Sequence, residues 1–287
     1  MSGIIRNILE FFLVLAALFI TVTFISRIVM RKFPVNKLFS AMESKGEITS
    51  NFISSVIGAL TPFCVCTTIP VFTGMVQLGL RAGPAIAFLF SSPLLNISAV
   101  ALIFFLFGWK FAVYFTTAIL AAATLGGILV PKLHMEGGIN IKEDKGLPGT
   151  GAGTLKEAAG FSMTLFRKLL LPLAFGAIIA GFVHNYIPVG LIERFNGIPL
   201  YLAIPLMAVI GFPLYSNILV LAPVCFSLAD KGMNSAAVMT LMMSGAGISF
   251  PTAIVLSKIL KPRLYVYYLG YTFIAYCVIG FGFILLR

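Results

Sequence analysis

Two cysteines two residues apart, Cys64-Val65-Cys66, carry the sharpest chemical signal in this chain. Thiols at that spacing in a non-helical turn can converge on one soft ion, because thiolates favour zinc, copper(I) and trivalent metalloids. Thr67 and Thr68 follow directly. Three more polar clusters interrupt apolar sequence in the same manner: Ser91, Ser92 and Asn96; Tyr215 and Asn217; Ser244 and Ser249. Hydroxyls and amides there can hydrogen-bond a small solute, and broken backbone beside them frees main-chain amides and carbonyls for the same use. Cys225 offers a third thiol near Pro223, although its counterpart earlier in the chain is Phe72. Cys277 reads as a small apolar filler, and Met75, Met207, Met239, Met242 and Met243 are either thioether donors or core gap-fillers.

Other chemistries lack their residues. Of nine acidic residues only Glu10 and Asp230 lie near an apolar run, so the mid-membrane carboxylate relay of proton-driven carriers is missing. Glu10 has Arg6 one turn earlier, which reads as a solvated pair. His184, beside Asn185 and Tyr186, reads as a headgroup-level residue. The glycines of 146–154 suggest a phosphate loop only faintly, since no Gly-Lys-Ser/Thr follows. No motif demands a cofactor.

Those residues must be positioned inside a membrane. Hydrophobic residues make up 60% of the 287 and charged ones 10%, against roughly 25% charged in soluble domains. So much apolar side chain cannot be hidden from water in a fold of this size. The formal charge of +11 comes from basic residues in short loops that flank apolar runs, which fits orientation signals and anionic headgroups. Nucleic-acid binding is not expected, because no basic face interleaved with aromatics appears. The cysteines all sit in apolar segments, so a disulfide framework is not expected either.

A crossing helix needs about 20 apolar residues. Eight candidates run at 8–29, 52–80, 83–107, 111–130, 162–186, 200–229, 233–257 and 264–286. The first is too long for a cleaved signal peptide. A polar, Gly-rich stretch at 131–160 reads as a flexible linker between a first membrane repeat, 1–130, and a second, 161–287. Adding 153 carries Gly58 to Gly211, Pro70-Val71 to Pro223-Val224, Gly79 to Gly232 and Ser91 to Ser244. Gly and Pro recurring at one offset mean a repeated backbone shape.

Both copies are interrupted. Breaks are expected at 61–70, with Pro62 and Pro70; at 91–96, with Pro93; at 212–223, with Pro213 and Pro223; and at 244–251, with Gly245, Gly247 and Pro251. Proline removes a ladder donor, and irregular backbone at membrane depth is tolerated only inside protein or beside water.

If all eight segments cross, the 20 Lys+Arg divide ten to ten between the two sides. If 52–80 and 200–229 re-enter instead, Arg27, Arg31, Lys32, Lys37, Lys45, Arg81, Lys132, Lys142, Lys145, Lys156, Arg167, Lys168, Lys258, Lys261 and Arg263 share one face. Arg6, Lys110, Arg194, Lys231 and Arg287 then take the other, a split of 15 to 5 that obeys the positive-inside rule. Three crossings per half invert one half relative to the other. The expected fold is therefore an all-α polytopic membrane protein of eight segments in two inverted repeats, with broken or re-entrant helices meeting near the midplane, the architecture of alternating-access transporters.

Thr61-Pro-Phe-Cys-Val-Cys-Thr-Thr-Ile-Pro70, followed by Gly74, Gly79 and Phe88-Leu-Phe-Ser-Ser-Pro-Leu-Leu-Asn96, resembles the predicted permeases that include the ArsP-type exporters of trivalent organoarsenicals. The resemblance runs through nearly the whole chain. It implies a multi-pass inner-membrane permease in which Cys64 and Cys66 contact a metalloid. Two departures stand out: the common Cys-Ser-Cys-Ser is Cys64-Val65-Cys66-Thr67 here, and the central linker is short.

The leading expectation is a secondary permease, not an enzyme, that exports a trivalent organoarsenical or another thiophilic species. Cys64 and Cys66 would hold it while Ser91, Ser92, Asn96, Asn217 and Ser244 line the path. Alternatives are an importer of a small, sulfur-containing anion, a membrane thiol oxidoreductase, and an assembly subunit without its own substrate. The expected partners are the lipid bilayer and a small solute. Coupling ion, transport direction and oligomeric state, a homo-oligomer included, stay open.

Overall fold

The computed structural model describes residues 46–61, 65–77, 79–139, 198–214, 218–230 and 232–285. The segments expected at 8–29 and 162–186, most of the linker, and Pro62, Cys64, Tyr215 and Asn217 lie outside the described residues. Among the described residues the chain is all-helical, with one isolated bridge and no named strand.

The first five helices are α1 (Glu47–Leu60), α2 (Val65–Gln77), α3 (Ala82–Ser91), α4 (Ile97–Phe107) and α5 (Trp109–Lys132). After the undescribed stretch come α6 (Leu200–Gly211), α7 (Ile218–Asp230), α8 (Ser235–Gly247), α9 (Phe250–Ile259) and α10 (Pro262–Ile284). Each of the second five starts 153 residues after its counterpart: 47 and 200, 65 and 218, 82 and 235, 97 and 250, 109 and 262. The local chemistry repeats too. Gly79 and Gly232 adopt positive φ, +96° and +94°, just past α2 and α7. Leu80 N donates to Met75 O at 3.1 Å and Met233 N to Leu228 O at 3.0 Å, the six-to-one bond of a glycine-ended helix.

Helix α1 is polar on the inside. Ser50, Asn51, Ser54, Ser55 and Gly58 are buried, whereas Ile48, Phe52 and Leu60 are exposed. Small and polar residues at helix contacts with apolar residues outward is the pattern of a protein solvated by lipid. Helix α1 packs on α3 and α5, and α6 packs on α8 and α10. The two sets meet where α7 lies against α4, α9 against α2, and α5 against α10.

Only α5 and α10 are individually long and apolar enough to cross a bilayer among the described residues; α8 with α9, bent by 54° at their junction, is a third candidate. At 1.5 Å per residue the two long helices each span about 35 Å, more than the ~30 Å of hydrocarbon. Tyr114, near the start of α5, donates through its hydroxyl to Ile279 O near the end of α10 at 2.7 Å. Tyr267, near the start of α10, donates to Gly126 O near the end of α5, also at 2.7 Å. The pairs are 153 apart on both sides, 114 with 267 and 126 with 279. A start-to-end contact made reciprocally means that α5 and α10 run antiparallel about a local two-fold.

Three expectations need correction. Pro70 and Pro223 do not bound the turns: each is the sixth residue of a helix, α2 or α7, where a missing N–H is tolerated although it weakens the ladder. The last break is shorter than 244–251, because α8 runs through Gly245 to end at Gly247, with Ile248 already extended. Its counterpart α3 stops at Ser91, ahead of Pro93; position 246 is alanine, so the helix has no reason to stop there. Finally, the start of the expected linker is ordered. Glu136–Gly138 form a 3-10 turn, Ile139 bridges to Leu260, and Lys261 N donates to Gly138 O at 2.6 Å.

Candidate functional site

In the first half the turn of Ser92 to Asn96 separates α3 from α4. Leu95 N donates back to Ser91 O at 2.8 Å, and Asn96 caps α4 by accepting from Ala99 N at 2.6 Å. That bond commits the Asn96 carbonyl to the helix end. Ser92 is fully buried, and its hydroxyl lies 3.1 Å from that of Thr68, on α2 and equally buried. Helix α2 and the first mid-segment break are therefore joined by hydroxyl groups.

The second half joins a different pair of elements at its break. Phe250 N, at the start of α9, donates to Phe212 O at the end of α6 at 3.3 Å, and the two rings meet edge to face. Ser249 precedes α9, buried, with its hydroxyl 2.8 Å from that of Thr252. Pro251 sits in the first turn of α9, where its missing N–H costs nothing. Pro213 is exposed in the turn after α6.

The two halves also touch at their breaks. A methyl added at Gly247 would lie 3.2 Å from Leu94 Cδ2 and would overlap the Tyr276 hydroxyl. Tyr276 packs on Phe90 with ring centroids 5.7 Å apart, and the Tyr268 hydroxyl reaches Leu89 O at 3.4 Å. The ends of α3 and α8 thus converge beside α10. Gly245 and Gly247 serve this approach, not a break: a methyl at Gly245 would sit 2.7 Å from Leu221 Cδ2 of α7.

Ser91 and Ser244 are placed differently from the rest. Each seats against a glycine of the neighbouring helix, Gly58 for Ser91 and Gly211 for Ser244. Ser244 donates to Ala208 O at 2.5 Å, and Ser91 to Phe88 O at 3.4 Å. Both hydroxyls are engaged at helix crossings.

Cys66 and Thr67 stand in the first turn of α2, so this part of the expected non-helical turn is helical. Cys225 is fully buried in α7, and Met207, Met239, Met242 and Met243 are core residues. No group of three His, Cys, Asp or Glu side chains that could hold a metal occurs among the described residues. The residues that sequence reasoning passed over are Thr252, Tyr268 and Tyr276. Their signal was present: tyrosines recur in the otherwise apolar α10, and a buried phenol needs an acceptor.

The predicted permease family matches this chain over residues 4–284, and the chain belongs to that family. A UPF0718 family protein of Methanocaldococcus jannaschii is 24% identical over 314 residues, covering 86% of each chain. No solved structure matches.

Proposed function

We propose that this member of the predicted permease family is a secondary carrier in the cell membrane, built from two inverted repeats, that exports a trivalent organoarsenical or a similar thiophilic solute. One observation carries the carrier reading. Five helices recur in order at an offset of 153, the long members of the two sets pack antiparallel through the Tyr114 and Tyr267 bonds, and the breaks of both halves come together. If α5 and α10 both cross the bilayer, antiparallel packing of equivalent helices gives the halves opposite orientations. Broken helices at the interface of such repeats are where carriers hold solute. The repeats are assigned to 1–130 and 161–287.

Substrate chemistry rests on the thiols. Cys64 directly precedes α2 in sequence and Cys66 is its second residue, so both fall at one helix start in the chain. An organoarsenous acid, R–As(OH)2, would exchange two hydroxyls for the two sulfurs: two As–S bonds form, two As–O bonds break, and the thiol protons leave in two waters. Reversal by water or an external thiol releases the solute. Thr68 and Ser92 would border this position.

A second reading has its own support. Helices α2, α4, α7 and α9 all begin at breaks, and helix N-termini favour anions. A small anion held there would need no thiol.

Counterflow of methylarsenite in proteoliposomes separates the readings. The arsenical reading expects saturable uptake that is abolished by Cys64→Ser/Cys66→Ser. Uptake that survives the double substitution removes the thiol role. Folded protein that moves no arsenical, but exchanges small oxyanions, transfers the assignment to the second reading.

A further inference from the structure

The polar face of α1 is costly and the fold does not require it. Ser50, Asn51, Ser54, Ser55 and, across the contact on α5, Thr124 correspond at the 153 offset to Ala203, Ile204, Met207, Ala208 and Cys277. The second half therefore makes the same three-helix contact with apolar side chains. Its Ile204 packs on Gly280, where an added methyl would lie 3.1 Å from Ile204 Cγ2. The equivalent notch in the first half holds Asn51 against Gly127 instead.

Part of the polar set is satisfied within the protein. Ser54 donates to Pro84 O at 2.6 Å and Ser55 to Phe52 O at 2.8 Å, while Thr124 donates to Leu120 O at 2.8 Å. Asn51 is not satisfied. It is fully buried, and neither its Oδ1 nor its Nδ2 has a hydrogen-bond partner; buried Ser50 Oγ, next to it in sequence, has none either. Leaving such groups unmet is destabilising unless a ligand meets them.

The direction in which Asn51 points identifies that ligand. Its Oδ1 enters the notch between α3 and α5, 2.6 Å from where a Cβ on Gly127 would lie and 3.1 Å from one on Gly83. The main-chain oxygens of Gly83 and Gly127 border the same notch, each less than 3 Å from the other glycine's added Cβ. Acceptor oxygens thus crowd together, and the amide donor beside them, Asn51 Nδ2, has no partner. A cation resolves that crowding. The set has no carboxylate, which excludes strong binding of a divalent ion, and no thiol or imidazole, which excludes soft metals. Neutral carbonyl, amide and hydroxyl oxygens are the ligands that carriers use for sodium.

We propose that the notch formed by α1, α3 and α5 binds a sodium ion through Asn51 Oδ1, with Ser50 Oγ and the Gly83 and Gly127 carbonyls as further oxygen ligands. The site is within two turns of the starts of α1 and α3 and of the end of α5, so it is reached from the face that bears Arg81 and Lys132. Those two cations are exposed and extend to solvent. Given the carrier reading, on which this role rests, sodium supplies the coupling ion that no membrane carboxylate provides.

The test is binding by purified full-length protein, independent of transport. Thermal unfolding is followed in sodium chloride and in choline chloride at equal ionic strength, for wild type, Asn51→Ile and Ser50→Ala. The substitutions copy residues that the second half already accommodates. Wild type should gain about 3 °C, saturably, at tenfold sodium over Kd; Asn51→Ile should lose the gain, and Ser50→Ala should need more sodium. Wild type that unfolds alike in both salts overturns the proposal. In that case Asn51 is a structural amide that turns its nitrogen toward the glycine carbonyls, and Asn51→Ile shifts unfolding equally in either salt. A sodium gain retained in Asn51→Ile overturns the assignment to this notch. Sodium binding without any transport would leave the site standing and sink the carrier reading alone.

Discussion

Alanine at Gly211 should be much more damaging than alanine at Gly58, although the two glycines are equivalent at the 153 offset. At Gly211 the new methyl would sit 2.6 Å from Ser244 Cβ and 2.9 Å from Gly245 N. Carbon atoms settle at about 3.5–4.0 Å, so α6 and α8 must part by roughly 1 Å. Ser244 cannot move aside, because the clashing atom is fixed to its backbone and its hydroxyl is held by Ala208 O at 2.5 Å. At Gly58 the nearest atom is only the Ser91 hydroxyl, whose bond to Phe88 O is long at 3.4 Å. Rotating it away leaves neighbours at 3.2 Å, Phe88 O and Ser92 N, which yield by a few tenths of an ångström. Overpacking costs about 1–3 kcal/mol, and alanine returns up to about 1 kcal/mol of helix propensity. The net loss is about 2 kcal/mol for Gly211→Ala, from the top of that range, and under about 1 kcal/mol for Gly58→Ala. Thermal unfolding of purified protein should register this as a fall of about 4–8 °C against less than about 3 °C. Ser91→Ala should erase what remains of the Gly58→Ala loss. Equal falls, or a larger one at Gly58, would refute the reasoning from these contacts.

Tyr114→Phe and Tyr267→Phe each delete one inter-helix hydrogen bond of equal length, so each should cost about 0.6 kcal/mol. Sitting near opposite ends of the α5–α10 pair, they should add within about 0.5 kcal/mol, as measured by unfolding of both singles and the double. Gly79→Ala and Gly232→Ala force a side chain into positive φ; each should lose more than about 1 kcal/mol, and a matched pair of losses is expected from denaturant titration. Thr68→Ala and Ser92→Ala each break the 3.1 Å hydroxyl contact between α2 and the first break. Their effects on solute counterflow should be non-additive, and independent effects would show that the contact does not couple the two elements.

Much of the architecture was legible because glycine and proline encode backbone shape directly. Gly79 with Gly232 and Pro70 with Pro223 gave the offset, and the helix starts obey it. The limits of a helix were harder to read. Pro70 and Pro223 looked like boundaries, but a helix held by neighbours absorbs a proline in its second turn. Gly245 and Gly247 looked like a break, whereas their role is to admit Leu221 and Tyr276. Convergence of Leu94 on Gly247 depends on contacts more than 150 residues apart, which no local pattern carries. Asn51 was missed for a simple reason: the apolar segment seemed to begin at Phe52. A residue with polar neighbours at a segment's edge reads as solvated, and only packing on α3 and α5 shows it to be enclosed.

The reciprocal tyrosine bonds have a mechanical consequence. They anchor the two long helices near both ends, equally far from the centre of the pair. Rocking one helix about that centre would strain one anchor as it relaxed the other, and the opposite tilt would do the same in reverse. These two bonds by themselves favour neither side, whereas Tyr271, which also donates to Ala122 O and has alanine at its counterpart 118, loads one side alone. Any preference between the two tilts must come from where the halves differ chemically, as α1 differs from α6, or from what is bound at the time.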